Sequence, residues 1–172
     1  MADAPPTQLT SWRSALLYGA GAGVVAAFSF STARLVASVP EPYWAPIAAV
    51  VVLYPDREAT KQAVIQRLVG TAIGSIIGWG SAVWWHQSAV RYGVSIVIAM
   101  TVCSLLRLEA ASRLCAVAVT VITLIPRAEA PSLVALHRCI GVTYGVVCAL
   151  VYAVVVDAIR RRLAASHETL GK

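Results

Sequence analysis

The sequence predicts an all-helical membrane protein, with six transmembrane helices arranged as two inverted three-helix repeats. Three observations carry that expectation. Hydrophobic residues make up 59% of the 172 positions and charged residues only 13%, with a mean hydropathy of +0.75, outside the range of ordinary water-soluble domains. The basic residues behind the net charge of +6 lie between apolar runs and at the tail, a positive-inside distribution rather than a nucleic-acid footprint. Finally, Pro55, Glu58, Ala59, Arg67, Gly70 and Gly74 recur as Pro126, Glu129, Ala130, Arg138, Gly141 and Gly145, all at an offset of 71 residues. Agreement at a single offset marks an internal duplication.

Residues 1–13 are polar and Pro-containing and read as a frayed cytoplasmic tail. Between Arg13 and Arg34 lie 20 residues without a charge, enough for a first crossing. A cleaved secretory signal is the competing reading, but the run is long for one and no basic cluster precedes Arg13. Gly19 and Gly23, with Ala27, form a small stripe that would admit a neighbouring helix. Pro40, Pro42 and Pro46, around Tyr43 and Trp44, end this helix and open the next.

The second span has only 14 uncharged residues between Glu41 and Asp56, and its equivalent between Arg113 and Arg127 has 13. Short apolar segments at matching positions in two halves are the pattern of the broken helices around a transporter's central site. The plainer alternative is that both extend into flanking residues and cross ordinarily. Residues 56–66 form a charged connector, able to continue as helix along the membrane surface. A third span over 67–85 carries Gly70, Gly74 and Gly78 on one face, with Trp79, Trp84 and Trp85 as an interfacial belt.

A fourth span fills the 15 residues between Arg91 and Arg107, a fifth ends at Pro126 and a sixth covers 138–156. The expected organisation is therefore a tail (1–13), a six-helix domain (14–157, with repeats 14–85 and 86–157) and a basic cytoplasmic tail (158–172). With both termini in the cytoplasm, ten Lys and Arg lie inside and four outside. Three spans per copy, an odd number, give the copies opposite orientations.

Arg67 and Arg138 are the expected substrate-binding pair: each opens a span, each precedes Gly-x-x-x-Gly, and each presents a planar fork suited to a carboxylate. An arginine in hydrocarbon costs about 2.5–3.5 kcal/mol on insertion scales. The competing reading is that both snorkel to headgroups. Glu58 and Glu129, each nine residues before its arginine, either pair with it or, together with Asp56, exchange a coupling proton. Tyr43 and Trp44 would stack on an aromatic solute or anchor at the interface. Arg34 with Glu41, and Arg107 with Glu109, read as interfacial anchors.

Gly70, Gly74, Gly78, Gly141 and Gly145 read as helix-packing residues, since no strand precedes them to make a phosphate cradle. Cys103, Cys115, Cys139 and Cys148 read as small buried residues, and the scattered His86, His137 and His167 give no metal site. No cofactor is called for. No Ser-His or Asp-Asp constellation sits within the spans, so an enzyme is not expected.

The run Tyr43-Trp44-Ala45, then Pro55, the polar connector and Arg67-Leu68-Val69-Gly70-Thr71-Ala72-Ile73-Gly74, resembles the fusaric acid resistance and aromatic acid exporter family. Its wider superfamily includes the plant aluminium-activated malate transporters. The likeness is closest over 43–80 and extends more loosely to 162. It implies a six-helix block, export of aromatic or other organic carboxylates across a bacterial-type inner membrane, and assembly as a homodimer. In the malate-transporting relatives, arginines on the third and sixth helices line the anion pathway, which would correspond to Arg67 and Arg138.

Longer members add a large soluble domain, whereas this chain presents one six-helix block, which works alone, with a second copy or with a separately encoded efflux partner. The expected ligands are thus an organic anion and membrane lipid. A channel-like anion pathway and a non-transporting scaffold or assembly subunit are the competing readings.

Overall fold

A computed structural model describes residues 12–36, 41–84, 88–125 and 130–170. They form six helices: α1 (Trp12–Val36), α2 (Trp44–Val52), α3 (Arg57–Trp84), α4 (Ala89–Leu105), α5 (Glu109–Leu124) and α6 (Pro131–Leu170). The described residues contain no strand. Three helices, α1, α3 and α6, are long and apolar enough to cross a membrane, and α4 is apolar but shorter, with 17 residues. Large apolar side chains such as Leu17, Phe28, Val97, Leu136 and Val151 face outward, as in a multi-pass membrane protein surrounded by lipid.

Two boundaries differ from the sequence expectation. Helix α3 begins ten residues before Arg67, because Asp56 caps it: its Oδ2 accepts the Ala59 N–H at 2.9 Å. The connector residues that follow are good helix formers, so nothing stops the helix until the membrane segment begins. Helix α6 begins at Pro131, where proline's missing N–H costs nothing, and continues to Leu170 through the basic tail. Arg67 and Arg138 are therefore interior to their helices and do not open them.

Helix α2 is nine residues long, about 13 Å of rise and less than half a hydrocarbon core. Its backbone turns extended at Leu53 ahead of Pro55, and the Leu53 carbonyl accepts the Tyr18 hydroxyl of α1 at 2.7 Å. Helix α4 ends in a Schellman turn: Leu108 N–H donates to the Cys103 carbonyl and Arg107 N–H to that of Ser104, both at 2.9 Å. Arg107 holds the left-handed position there, with φ of 58°.

Helix α3 packs along α5 and α6 along α2, and Val64 near the start of α3 also joins the cluster around α6. One apolar cluster joins Val25 of α1 and Ala48, Ala49 and Val52 of α2 to Val142, Val146 and Ala149 of α6. The other joins Ala99 and Cys103 of α4 and Cys115 and Val119 of α5 to Ile73 and Ile77 of α3. Glycines make both contacts possible. A Cβ on Gly74 would lie 2.5 Å from the Cys115 carbonyl oxygen, and one on Gly145 would overlap the Ala45 carbonyl. Gly70 faces Ala111 and Cys115, and Gly78 faces Ile122, so residue numbers rise together along α3 and α5 and the two run parallel.

Helix α6 likewise runs parallel to α2, with Gly141 against Trp44 and Val142, Val146 and Ala149 among Ala48, Ala49 and Val52. The expected α1 stripe is on the wrong side. Gly19 and Gly23 meet nothing within 4 Å, and the buried face of α1 is instead Gly21, Val25, Ser29 and Ala33, with Gly21 against Tyr152.

These contacts order the glycines by consequence. Alanine at Gly74 or Gly145 gains roughly 1 kcal/mol of helix propensity but forces a backbone carbonyl aside, and overpacking of this kind costs about 1–3 kcal/mol. Thermal unfolding in detergent should therefore show Gly74→Ala and Gly145→Ala melting below the wild type. Gly19→Ala should melt at the same temperature or higher.

Candidate functional site

Both arginines picked out by the duplication lie inside the helix bundle. Arg67 retains 3% exposure and Arg138 none. Their placement follows from the glycine contacts: Gly70 and Gly141 each sit one turn further along and bring their helix against its partner, so the arginine on the same face is carried inward. Neither snorkels to a headgroup.

The two environments differ. The Arg138 guanidinium lies over the Trp44 ring, 4.1 Å from its centroid. Trp44 is 8% exposed, and its indole N–H donates to Glu41 Oε2 at 2.8 Å. The Tyr43 hydroxyl donates to the other carboxylate oxygen at 2.7 Å, and the Tyr43 and Trp44 rings stand 5.4 Å apart, tilted by 50°. Glu41, expected to anchor with Arg34, thus organises the two aromatic residues at the head of α2. Gly141 leaves room for this arrangement, since a Cβ there would approach Trp44 Cβ to 3.0 Å.

At Arg67 the position equivalent to Trp44 is Cys115, and no ring is present. Among the described residues Arg67 makes no ion pair, hydrogen bond or ring contact, and its Nε is buried without a partner. The Thr71 hydroxyl, one turn on, is also buried without a partner. Sequence reasoning quoted Thr71 only within the family motif and did not single out Ser75, although four-residue spacing from Arg67 was there to be seen.

The candidate coupling carboxylates are elsewhere. Asp56 is occupied as the cap of α3. Glu58 pairs with Lys61 at 2.6 Å at an exposed position, not with Arg67. Nine residues on a helix is two and a half turns, which puts Glu58 on the opposite side of α3 from Arg67. Glu129 lies outside the described residues, as do Pro126, Trp85 and His86. Cys103 and Cys115 sit together in the core as free thiols.

A polar cavity of about 320 Å³ opens where α2 ends and α3 begins, lined by Tyr18, Tyr54, Asp56, Arg57, Asp157 and Arg160 among others. Asp157 on α6 holds it together, contacting Arg57 at 3.2 Å and Arg161 at 2.9 Å. All three side chains are partly solvated, so the pairs add at most about 1 kcal/mol. On the outer surface, α3 and α6 form an apolar groove of about 320 Å³ that includes Ala72, Trp79, Ala135 and Cys139. The Cys139 thiol lies 3.5 Å from the Ser75 hydroxyl across this seam. Neither space is lined by Arg67 or Arg138.

The Trp44 ring should be essential to the fold. Trp44→Ala opens a cavity and strips the ring from a buried cation, so chemical unfolding should register a loss of about 3–5 kcal/mol. Trp44→Phe, which keeps a ring face and loses only the bond to Glu41, should lose less than half of that.

Residues 17–152 match the family model described as fusaric acid resistance protein-like. No curated protein and no solved structure matches the chain. The match covers α1 to α5 almost entirely and α6 as far as Tyr152, and both glycine-bearing arginine motifs fall within it. The chain belongs to the fusaric acid resistance protein-like family.

Proposed function

We propose that the protein is an inner-membrane transporter that exports organic carboxylates, chiefly aromatic ones, through a centre built on Arg67 and Arg138. The single observation that carries this reading is the burial of two cations at equivalent positions of a duplicated chain, one of them with no partner among the described residues. A guanidinium inside an apolar bundle is costly to keep there, and an anionic solute would offset that cost.

Inverted repeats are part of the reading. Helix α3 runs with α5 and α6 with α2, whereas Arg57 meets Asp157 and Ser75 meets Cys139, so α3 and α6 run in opposite directions. Equivalent helices pointing opposite ways support an inverted duplication, with both termini cytoplasmic on the Lys and Arg distribution. The short α2 and α5 then stand at mid-membrane, and Tyr43 and Trp44 offer ring faces to an aromatic solute.

The polar cavity beside Asp56 serves as a solvated mouth, and Asp56 is the coupling carboxylate if export draws on protons; Glu58 and Glu129 are its reserves. The protein acts as a homodimer and not as an enzyme. A second reading, a scaffold subunit packed on a larger membrane protein, draws on the apolar α3–α6 groove, which is open to the outside.

Proteoliposomes loaded with benzoate distinguish the two. On the transport reading the wild type releases benzoate, and Arg67→Ala and Arg138→Ala each reduce the rate at least about tenfold, the effect of removing one charged hydrogen-bond donor. Undiminished release by both variants sinks the arginine assignment, and a wild type that carries nothing while copurifying with a membrane partner supports the scaffold.

A further inference from the structure

Helical serine and threonine hydroxyls ordinarily donate to a carbonyl of the preceding turn. In this protein Thr32 does so to Phe28, Thr60 to Asp56, Ser95 to Arg91, Thr120 to Ala116 and Thr123 to Val119, all at 2.6–3.0 Å. Thr71 does not: it is 3% exposed and its hydroxyl has no partner. Arg67, four residues before it, is equally buried, with its Nε also unpartnered. Ser75, four residues after, is 4% exposed and meets only the Cys139 thiol. Four-residue steps drift by only about 40° each, so the three side chains form one polar stripe on α3.

The other copy lacks this stripe. The residues equivalent to Thr71 and Ser75 are Val142 and Val146, which are sealed in the apolar cluster with Ala48, Ala49 and Val52. Duplication has kept the cation on both helices and the hydroxyls on one. Arg138 already rests on the Trp44 ring. Buried donors without acceptors are costly, and one anion satisfies several of them together.

We infer that the stripe of Arg67, Thr71 and Ser75 on α3 is the carboxylate-receiving half of the site, with Thr71 a ligand-binding residue. The Arg138 half is held by Trp44. One carboxylate oxygen accepts from the Arg67 guanidinium and the other from the Thr71 hydroxyl, with Ser75 the next donor along the path. The stripe is closed to solvent in this conformation, so an anion reaches it when α3 and α6 part at the Ser75–Cys139 seam. The inference rests on the carboxylate-transport reading and adds a specificity-determining residue to it.

The test uses the full chain in lipid nanodiscs, with thermal stabilisation by benzoate as the binding readout and proteoliposome release as the transport readout. Thr71→Val has nearly the same shape and copies Val142, so it should fold. It should melt no lower than the wild type without ligand, because it loses only an unsatisfied hydroxyl. Its apparent dissociation constant for benzoate should rise about tenfold, the loss of one hydrogen bond to a charged group. Thr71→Ser should bind within about twofold of the wild type, and Ser75→Ala should show a smaller loss than Thr71→Val.

Equal benzoate affinity in Thr71→Val and wild type overturns the inference and leaves the transport reading resting on Arg67. A marked fall in ligand-free melting temperature in Thr71→Val also overturns it, by giving the hydroxyl a structural bond. Binding without release by the wild type overturns the transport reading and keeps the stripe. No stabilisation of the wild type by benzoate overturns both.

Discussion

The contact of α3 with α5 at Gly74, and of α6 with α2 at Gly145, is the constraint on which the rest of the bundle depends. At each place one helix rests against the bare backbone of another, leaving no space for a single carbon atom more. Each glycine-bearing helix is thereby fixed against a helix distant in the chain, α3 in the cluster with α4 and α5, and α6 in the cluster with α1, α2 and the start of α3. The arginine two turns earlier on the same helix has no choice of direction. It is carried into the interior, where a charge has to be accommodated by ring faces, by hydrogen-bond acceptors or by a ligand.

The two recurring arginines have two different electrostatic surroundings. On α6 the guanidinium lies against an indole whose N–H is fixed by Glu41, so one carboxylate orients both aromatic residues at the head of α2. Beside α3 the position equivalent to that indole is Cys115, and the buried face of the helix beyond Arg67 carries hydroxyls where α6 carries valines. The end of the bundle around Asp157 is different in kind: its ion pairs are partly solvated and weak, and they guide the mouth of a cavity more than they hold the fold.

Much of this was legible in the residues themselves. The apolar runs give six helices, the prolines around Tyr43 mark the start of α2, and the recurrence at a fixed offset identifies Arg67, Arg138 and their glycines without any coordinates. Charge marked residues 56–66 as a connector able to be helical, and the Asp56 cap with good helix formers joins it to the third span as one helix. Local rules chose the wrong face of α1: spacing favoured Gly19 and Gly23, but Gly21 is the residue that touches α6.

Sequence by itself therefore determined the membrane character, the duplication, the family and the identity of the paired arginines, because each is written in composition or in spacing along the chain. Tertiary structure alone decided that α3 packs along α5 and α6 along α2, that Arg138 meets Trp44 while Arg67 meets no ring among the described residues, and that the Thr71 hydroxyl, one turn beyond Arg67, is buried without a partner among them. The reason is physical. These outcomes depend on contacts between residues far apart in the chain, and helical periodicity fixes which side chains share a face but not which helix that face will meet.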